Sequence, residues 1–329
     1  LAKTDLHDLI SLLKKCSKEL GGKTPTLREF MAFGVSRRQI DNHGGHNEIV
    51  KLAGLEPNFD PFARHDIDPR PPKVLLFDIE TSAIKAHVWG GYEQNVGRNQ
   101  VREDWYLLSW AAKWHGEDEI FYEDVRKSPK SGKDKDKKIL KGIHKLLMEA
   151  DIVVGHNSDK FDIKKLNARF IKYGMRPINH YKKVDTLKIA RKHFNFTFNT
   201  LAYLAEYLEV GESKSEHKKF PGMELWNACM DGDKQTRLEA FEEMELYNKK
   251  DVTVLERVYN KLAPYEPSLK FSAYHQATVC SCGSYTFIKD GISYTASGAF
   301  QRYVCKSCGK VFKDRQNLIT KTQRKDMLC

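Results

Sequence analysis

The segment Val74-Leu75-Leu76-Phe77-Asp78-Ile79-Glu80-Thr81 constrains this chain more than any other. Its apolar run reads as a buried strand, and side chains on a strand alternate between faces. Asp78 and Glu80 therefore share one face. Two carboxylates so close repel each other unless a cation lies between them, and hard oxygen donors suit Mg²⁺ or Mn²⁺. Two further carboxylates stand in suitable surroundings. Asp162 closes Gly155-His156-Asn157-Ser158-Asp159-Lys160-Phe161-Asp162, and Asp251 closes Tyr247-Asn248-Lys249-Lys250-Asp251. Tyr247 precedes Asp251 by one helical turn, on the same helix face. A phenol there can accept or orient the proton of an attacking water. These segments point to metal-dependent cleavage of a phosphodiester.

At 329 residues the chain is expected to hold two or three domains. Residues 1–55 read as a small helical domain. Leu6, Leu9, Ile10, Leu12 and Leu13 give an apolar helical face, and short helices follow around Thr26–Phe33, Ser36–Asp41 and His46–Ala53, separated by glycines. Either a helix-turn-helix unit presenting Arg37, Arg38, Asn42 and His43 to DNA or a plain accessory bundle fits this pattern. Five prolines make residues 56–73 an extended linker. From residue 74, strand patterns at Trp105–Trp114 and Glu119–Glu123 precede alternating strands and helices, so 74–265 is expected to be an α/β domain with a mixed sheet. Lysine, glycine and serine dominate Arg126–Lys138, which reads as a mobile surface loop.

The three motifs, in order and separation, resemble those of the DEDD superfamily of 3′–5′ exonucleases. They are Asp-x-Glu on a first strand, Asn-x-x-x-Phe-Asp leading into a helix, and Tyr-x-x-x-Asp on a late helix. Val184-Asp185-Thr186-Leu187 and Leu201–Leu208 resemble the family's intervening segments. The tyrosine places the chain with the tyrosine-bearing branch, since Leu246 stands where the other branch needs histidine. The similarity covers residues 74–265 and is nearest to the exonuclease domains attached to family B DNA polymerases. It implies a ribonuclease H-like core flanked by helices, which removes nucleotides from 3′ ends and releases nucleoside monophosphates. It also implies that Asp78 and Asp162 contact two Mg²⁺ or Mn²⁺ ions, that Glu80 and Asp251 complete the set, and that Tyr247 positions the water. Two such ions lower the pKa of the attacking water and stabilise the leaving 3′ oxygen. DNA is the expected polymer in preference to RNA, with a polymerase or another replication or repair protein as a partner in trans. Asn157 and Phe161 are secondary candidates, for holding the terminal sugar or phosphate and for stacking on the last base. Phe161 reads equally as core. His156, Trp105, Trp110 and Trp114 read as structural.

Near the C-terminus, Cys280-Ser281-Cys282-Gly283 and Cys305-Lys306-Ser307-Cys308-Gly309 flank hairpin material with a turn expected at Asp290-Gly291. The arrangement resembles a zinc ribbon, in which a structural Zn²⁺ takes four thiolates and leaves no position open for catalysis. The first knuckle is a residue short of the usual Cys-x-x-Cys, so His275 is a spare donor in place of Cys280. Cys16, Cys229 and Cys329 read as chemically idle. Residues 275–329 carry nine Lys and Arg against three Asp and no Glu, giving +6 of the chain's net +11. That balance suits a polyanion, and Arg302, Lys306, Lys310 and Lys313 are the candidate contacts to nucleic acid.

No segment has the apolar length of a membrane span. The charged, amphipathic start is unlike a secretory h-region, so a cytoplasmic setting without membrane contact is expected. Two alternatives to the exonuclease share these features. One is a ribonuclease H-like endonuclease or recombinase acting at internal DNA sites. The other is a DNA-binding regulator with an inactive nuclease core.

Overall fold

Strand β1 (Val74–Thr81) is central to a five-stranded sheet. In the computed structural model, which describes residues 5–56, 70–92, 94–128, 134–211, 219–275 and 277–325, the chain divides into two compact units, 1–68 and 69–329. The first contains α1 (Leu6–Glu19), α2 (Leu27–Ala32), α3 (Arg37–Asp41) and α4 (His46–Leu52). Thr26 and Ser36 close capping boxes with Glu29 and Gln39, which explains why helices this short form where they do. Leu9, Leu13, Phe30, Ile40, Ile49 and Val50 fill its core. The linker expected at 56–73 lies largely outside the described residues.

The second unit continues with the short pair β2 (Lys85–Ala86) and β3 (Val101–Glu103), then β4 (Leu107–Trp114) and β5 (Ile120–Asp124). Next come α5 (Lys137–Glu149), β6 (Ile152–Gly155), α6 (Asp162–Lys172), β7 (Lys182–Asp185), α7 (Thr186–His193), α8 (Leu201–Tyr207), α9 (Glu224–Asp231) and α10 (Lys234–Leu262). The sheet order is β5-β4-β1-β6-β7. β1 pairs antiparallel with β4 and parallel with β6, so the sheet is mixed. A short helix, α11 (Ser272–His275), follows α10, and the chain then forms the antiparallel sheet of β8 (Phe287–Thr295), β9 (Gly298–Cys305) and β10 (Val311–Asn317).

Alternation along β1 sorts its residues between two cores. Leu75, Phe77 and Ile79 pack with residues of α5 and α6, whereas Val74 and Leu76 face α7, α8 and the C-terminal half of α10. Helix α10 changes cores along its length: Phe241 and Met244 belong to the first and Val252 to Leu262 to the second. Asp78 and Glu80 continue the Val74–Leu76 face and meet α10 where it passes between cores. At the end of β6, a Cβ on Gly155 would lie 2.4 Å from Cβ of Ser158, so only glycine permits the tight entry into α6.

Two sequence expectations need amendment. The turn placed at Asp290-Gly291 lies instead at Ala296-Ser297, and Gly291, with φ of 76°, sits at a register irregularity within β8. A left-handed glycine serves a bulge as readily as a hairpin turn, which is why the dipeptide misled. Arg126–Lys138 is not a free loop at its ends. Arg126 pairs with Asp124 and Glu245, and buried Asp136 accepts from Arg169, from Tyr173 and from the Leu107 N–H at 2.9 Å. Its residues 129–133 lie outside the described residues. Helix α9 and the β2–β3 pair had no expectation at all. Among the described residues, no helix is long and apolar enough to cross a membrane.

Candidate active site and cysteine centre

One oxygen each of Asp78, Glu80 and Asp251 fall within 4.8 Å of one another. Strand alternation supplies the first two, and α10 carries the third, one turn beyond Tyr247. Asp162 opens α6 and is turned to β1, where its Oδ1 accepts the Ile79 N–H at 3.2 Å. That bond fixes the strand between its two acidic residues. Asp162 itself lies outside the close trio.

Burial and crowding set the electrostatics. Burial first, then the charges of Glu80, Asp162 and Asp251, hold the Asp78 carboxyl well above its ordinary range. Glu80 is pushed up to about 8, chiefly by burial, against the hydrogen bond from Trp226. Asp162 rises to about 7, again led by burial. Such a set binds protons at neutral pH or takes up another positive charge. The donors are all carboxylate oxygens, and their spacing suits one hard divalent cation shared by the trio. The Tyr247 phenol is also held upward by burial and by the adjacent carboxylates, Asp251 first. It is therefore a proton donor at neutral pH.

Two further side chains touch the trio and were not among the candidates. Asn248 is fully buried; its Nδ2 donates to Asp78 Oδ2 at 2.7 Å, and its Oδ1 accepts from Ser109 Oγ at 3.1 Å. Trp226 of α9 donates from Nε1 to Glu80 Oε2 at 3.0 Å and sets its ring edge-on to Tyr247, with centroids 5.8 Å apart. Asn248 was legible: it falls between Met244 and Val252 on the buried stripe of α10, where an amide is out of place. Trp226 gave no local sign.

The loop before α6 is organised by Asp185. Its carboxylate accepts the N–H groups of Asn157 and Asp159 and caps α7 through Leu187 N–H. Asn157 adopts φ of 64°, a left-handed conformation tolerated by asparagine. Phe161 is 40% exposed with the Lys165 ammonium 5.4 Å from its ring centre, so it is not core. His156 is bonded to Thr186 Oγ1 and the Asn199 carbonyl, both at 2.9 Å, and burial lowers its pKa. Trp110 is buried and donates to the Ile139 carbonyl. Trp114 packs partly buried against the first core, and Trp105 lies under Lys165.

The sulfurs of Cys280, Cys282, Cys305 and Cys308 also converge, all within 4.8 Å. Cys280 and Cys308 are 3.4 Å apart and Cys282 and Cys305 3.7 Å. A tetrahedron with metal–sulfur bonds of about 2.3 Å has edges near ~3.8 Å, so the four positions suit such a centre. His275 is committed elsewhere, to the Tyr285 hydroxyl at 2.8 Å. Of the basic residues expected to contact nucleic acid, Lys310 is misplaced. It is buried at 4% exposure, and its ammonium donates to the carbonyls of Glu266 and Leu269 and to Ser281 Oγ at 2.8–3.0 Å. It fastens the cysteine module to the segment that follows α10 and cannot reach a phosphate. Arg302 binds the Asp290 carbonyl and carboxylate, Lys313 lies over the Phe300 ring, and Lys306 is exposed.

A family model of the RNase_H superfamily matches residues 75–263, more than half of the chain. The chain belongs to the RNase_H superfamily. The matched span contains the mixed sheet, its flanking helices and the four carboxylates Asp78, Glu80, Asp162 and Asp251, so the acidic cluster lies within the ribonuclease H-like, nuclease-type core of this superfamily member. Among solved structures, it is similar to the family B DNA polymerase from the hyperthermophilic archaeon Pyrobaculum calidifontis, at 21% identity and a TM-score of 0.42. The alignment covers 60% of this chain and 25% of the polymerase, so the superfamily member spans about a quarter of that structure's length. No curated protein matches it in sequence.

Proposed function

We propose that the protein is a 3′–5′ exonuclease that shortens nucleic acid, with DNA preferred, and releases nucleoside monophosphates. The observation that carries this reading is the convergence of Asp78, Glu80 and Asp251 with Tyr247 one turn away on α10. Three carboxylates held together against their own repulsion are an arrangement made for cations. In this reading Asp78, Glu80, Asp162 and Asp251 hold two Mg²⁺ or Mn²⁺ ions. Such ions supply an activated water and offset charge on the leaving 3′ oxygen. Tyr247 orients the attacking water through its hydroxyl. Trp226 keeps Glu80 and the Tyr247 ring in register, and Asn248 does the same for Asp78. Asn157 and Phe161, which lead into Asp162 along the chain, serve in this reading as contacts for the terminal nucleotide, where a half-exposed ring can stack on a base. The four cysteines hold one structural Zn²⁺, which keeps Lys306 and Lys313 on a small rigid basic surface. The preference for DNA rests on the likeness of the three motifs to polymerase-linked exonuclease domains, and a replication or repair protein is the fitting partner in trans. We treat 1–55, 74–265 and 275–329 as accessory, catalytic and nucleic-acid-gripping parts of one enzyme.

The test is digestion of matched DNA and RNA oligonucleotides labelled at the 5′ end, with Mg²⁺ or Mn²⁺, beside circular DNA and the Asp78→Asn variant. A ladder shortening from the 3′ end, with circles spared and the variant inert, is the expected result. Cut circles would transfer the assignment to an endonuclease. Oligonucleotides that bind but survive would mean a regulator.

A further inference from the structure

The segment leaving the catalytic strand is built inside out. After Thr81 the chain runs through β2, a loop and β3 before re-entering the sheet at β4. Within this arm the polar groups serve each other. His87 and Gln100 exchange two hydrogen bonds, His87 N–H to the Gln100 carbonyl at 3.0 Å and Gln100 Nε2 to the His87 carbonyl at 3.1 Å. Gly97 N–H donates to Gln100 Oε1 at 2.7 Å, and Arg102 Nε donates to His87 Nδ1 at 3.2 Å. The base is pinned as well: Lys85 pairs with Asp231 at the end of α9. That helix also carries Trp226, which holds Glu80. Among its described residues the arm is thus organised, and it is tied through α9 to the candidate active site.

Beside its polar groups the arm shows large apolar side chains to solvent. Trp89 is 98% exposed and Tyr92 82%, with Ile84 and Val88 also exposed. A tryptophan left wholly in water beside an exposed tyrosine marks a contact surface. Residues 83–102 also contain Lys85, Arg98 and Arg102 against the single acid Glu93, so the stretch is net basic. Aromatic faces interleaved with cations are the chemistry that binds unpaired bases and their phosphates. Chain length bounds the reach of the tip: Trp89 follows Glu80 by nine positions, at most ~32 Å of extended backbone. We infer that the 82–103 arm binds the single-stranded part of the substrate, with Trp89 and Tyr92 stacking on its bases. This rests on the nuclease reading above.

The experiment compares the full chain with the Trp89→Ala/Tyr92→Ala double variant, without added divalent metal so that nothing is cut. Binding to fluorescein-labelled single-stranded DNA is followed by anisotropy at fixed salt, using an ordinary strand and one of abasic sugars. One stacked base contributes a factor of about ten or more to affinity, so the double variant should bind the ordinary strand at least ~10-fold more weakly. Trp89→Phe should retain most of the affinity, and the abasic strand should not distinguish the variants. Equal binding of the ordinary strand by parent and double variant overturns the assignment while leaving the nuclease reading intact. An equal loss on both strands also overturns it, because phosphates rather than bases would then be recognised. A parent that binds neither strand also overturns the arm assignment, while the nuclease reading is decided by the metal-dependent digestion described above.

Discussion

Asn248 donates to Asp78 across 2.7 Å while accepting from Ser109 at 3.1 Å. The amide can do both only in one orientation, so it fixes the Asp78 carboxylate on its own strand from a helix 170 residues away. Hydrogen bonds that orient a metal-binding carboxylate typically matter 10–100-fold. Asn248→Ala should lower the apparent Mn²⁺ affinity by about tenfold or more and cleavage at limiting metal in proportion. Asn248→Asp should be worse, since it adds a like charge to a crowded set. Paramagnetic titration of Mn²⁺ gives the answer without reference to activity; an unshifted affinity would rule out the orienting role.

That residue also marks how far sequence reasoning reaches here. Asp78 and Glu80 are legible because period-two alternation and an apolar run fix both the strand and its face. Asp251 and Tyr247 are legible because a helical turn is a local quantity. The sequence cannot say that Asp162 would bind the Ile79 N–H, since that contact depends on how α6 docks. Trp226 is hidden for the same reason, on a helix that carries no motif. Lys310 fails differently. Its neighbours are basic and aromatic, so it reads as a phosphate ligand, yet the fold turns it inward onto three oxygen acceptors. Charge patterning identifies cations but not the direction in which they point.

Asp78→Asn separates catalysis from folding. It removes one negative charge from a buried cluster and leaves an amide oxygen able to accept from Asn248. Activity should fall by about a thousandfold or more, a loss of ~4 kcal/mol in transition-state stabilisation. The metal-free protein should melt no lower than the parent, and about 2–4 °C higher if relief of repulsion is worth ~1 kcal/mol. Calorimetry with and without Mg²⁺ checks both parts: the parent should gain Tm on adding metal, and the variant should gain much less. A variant that melts well below the parent would mean that Asp78 is chiefly a structural residue.

The cysteine module should depend on Lys310 as well as on its metal. A buried ammonium serving two carbonyls and a hydroxyl cannot be replaced by an apolar chain without stranding all three acceptors. Lys310→Met should cost ~2–4 kcal/mol, seen as a lower urea midpoint with an unchanged slope. Zn²⁺ content, measured by a chromophoric chelator after purification, should be one per chain in the parent and fall in Cys308→Ser. A Lys310→Met protein as stable as the parent would show that the ammonium is dispensable at this junction.

Glu266 supplies a pH dependence remote from the acidic cluster. Burial alone would raise its carboxyl, but the Ser268 N–H, His193 and Lys192 all donate to it and bring it down to about 2. Its ordinary value is 4.5, so the folded state binds this proton less tightly than the unfolded chain does. The stabilisation is therefore complete above pH 4.5 and drains away as pH falls towards about 2. Glu266→Gln should lower stability at neutral pH and flatten the acid limb across that same window. Because the Glu266 carbonyl also accepts from Lys310, loosening this corner should reach the cysteine module. Urea midpoints taken at pH 7, and again through the acid window, distinguish the cases. Parallel curves for parent and variant would show that the carboxylate gains nothing from its three donors.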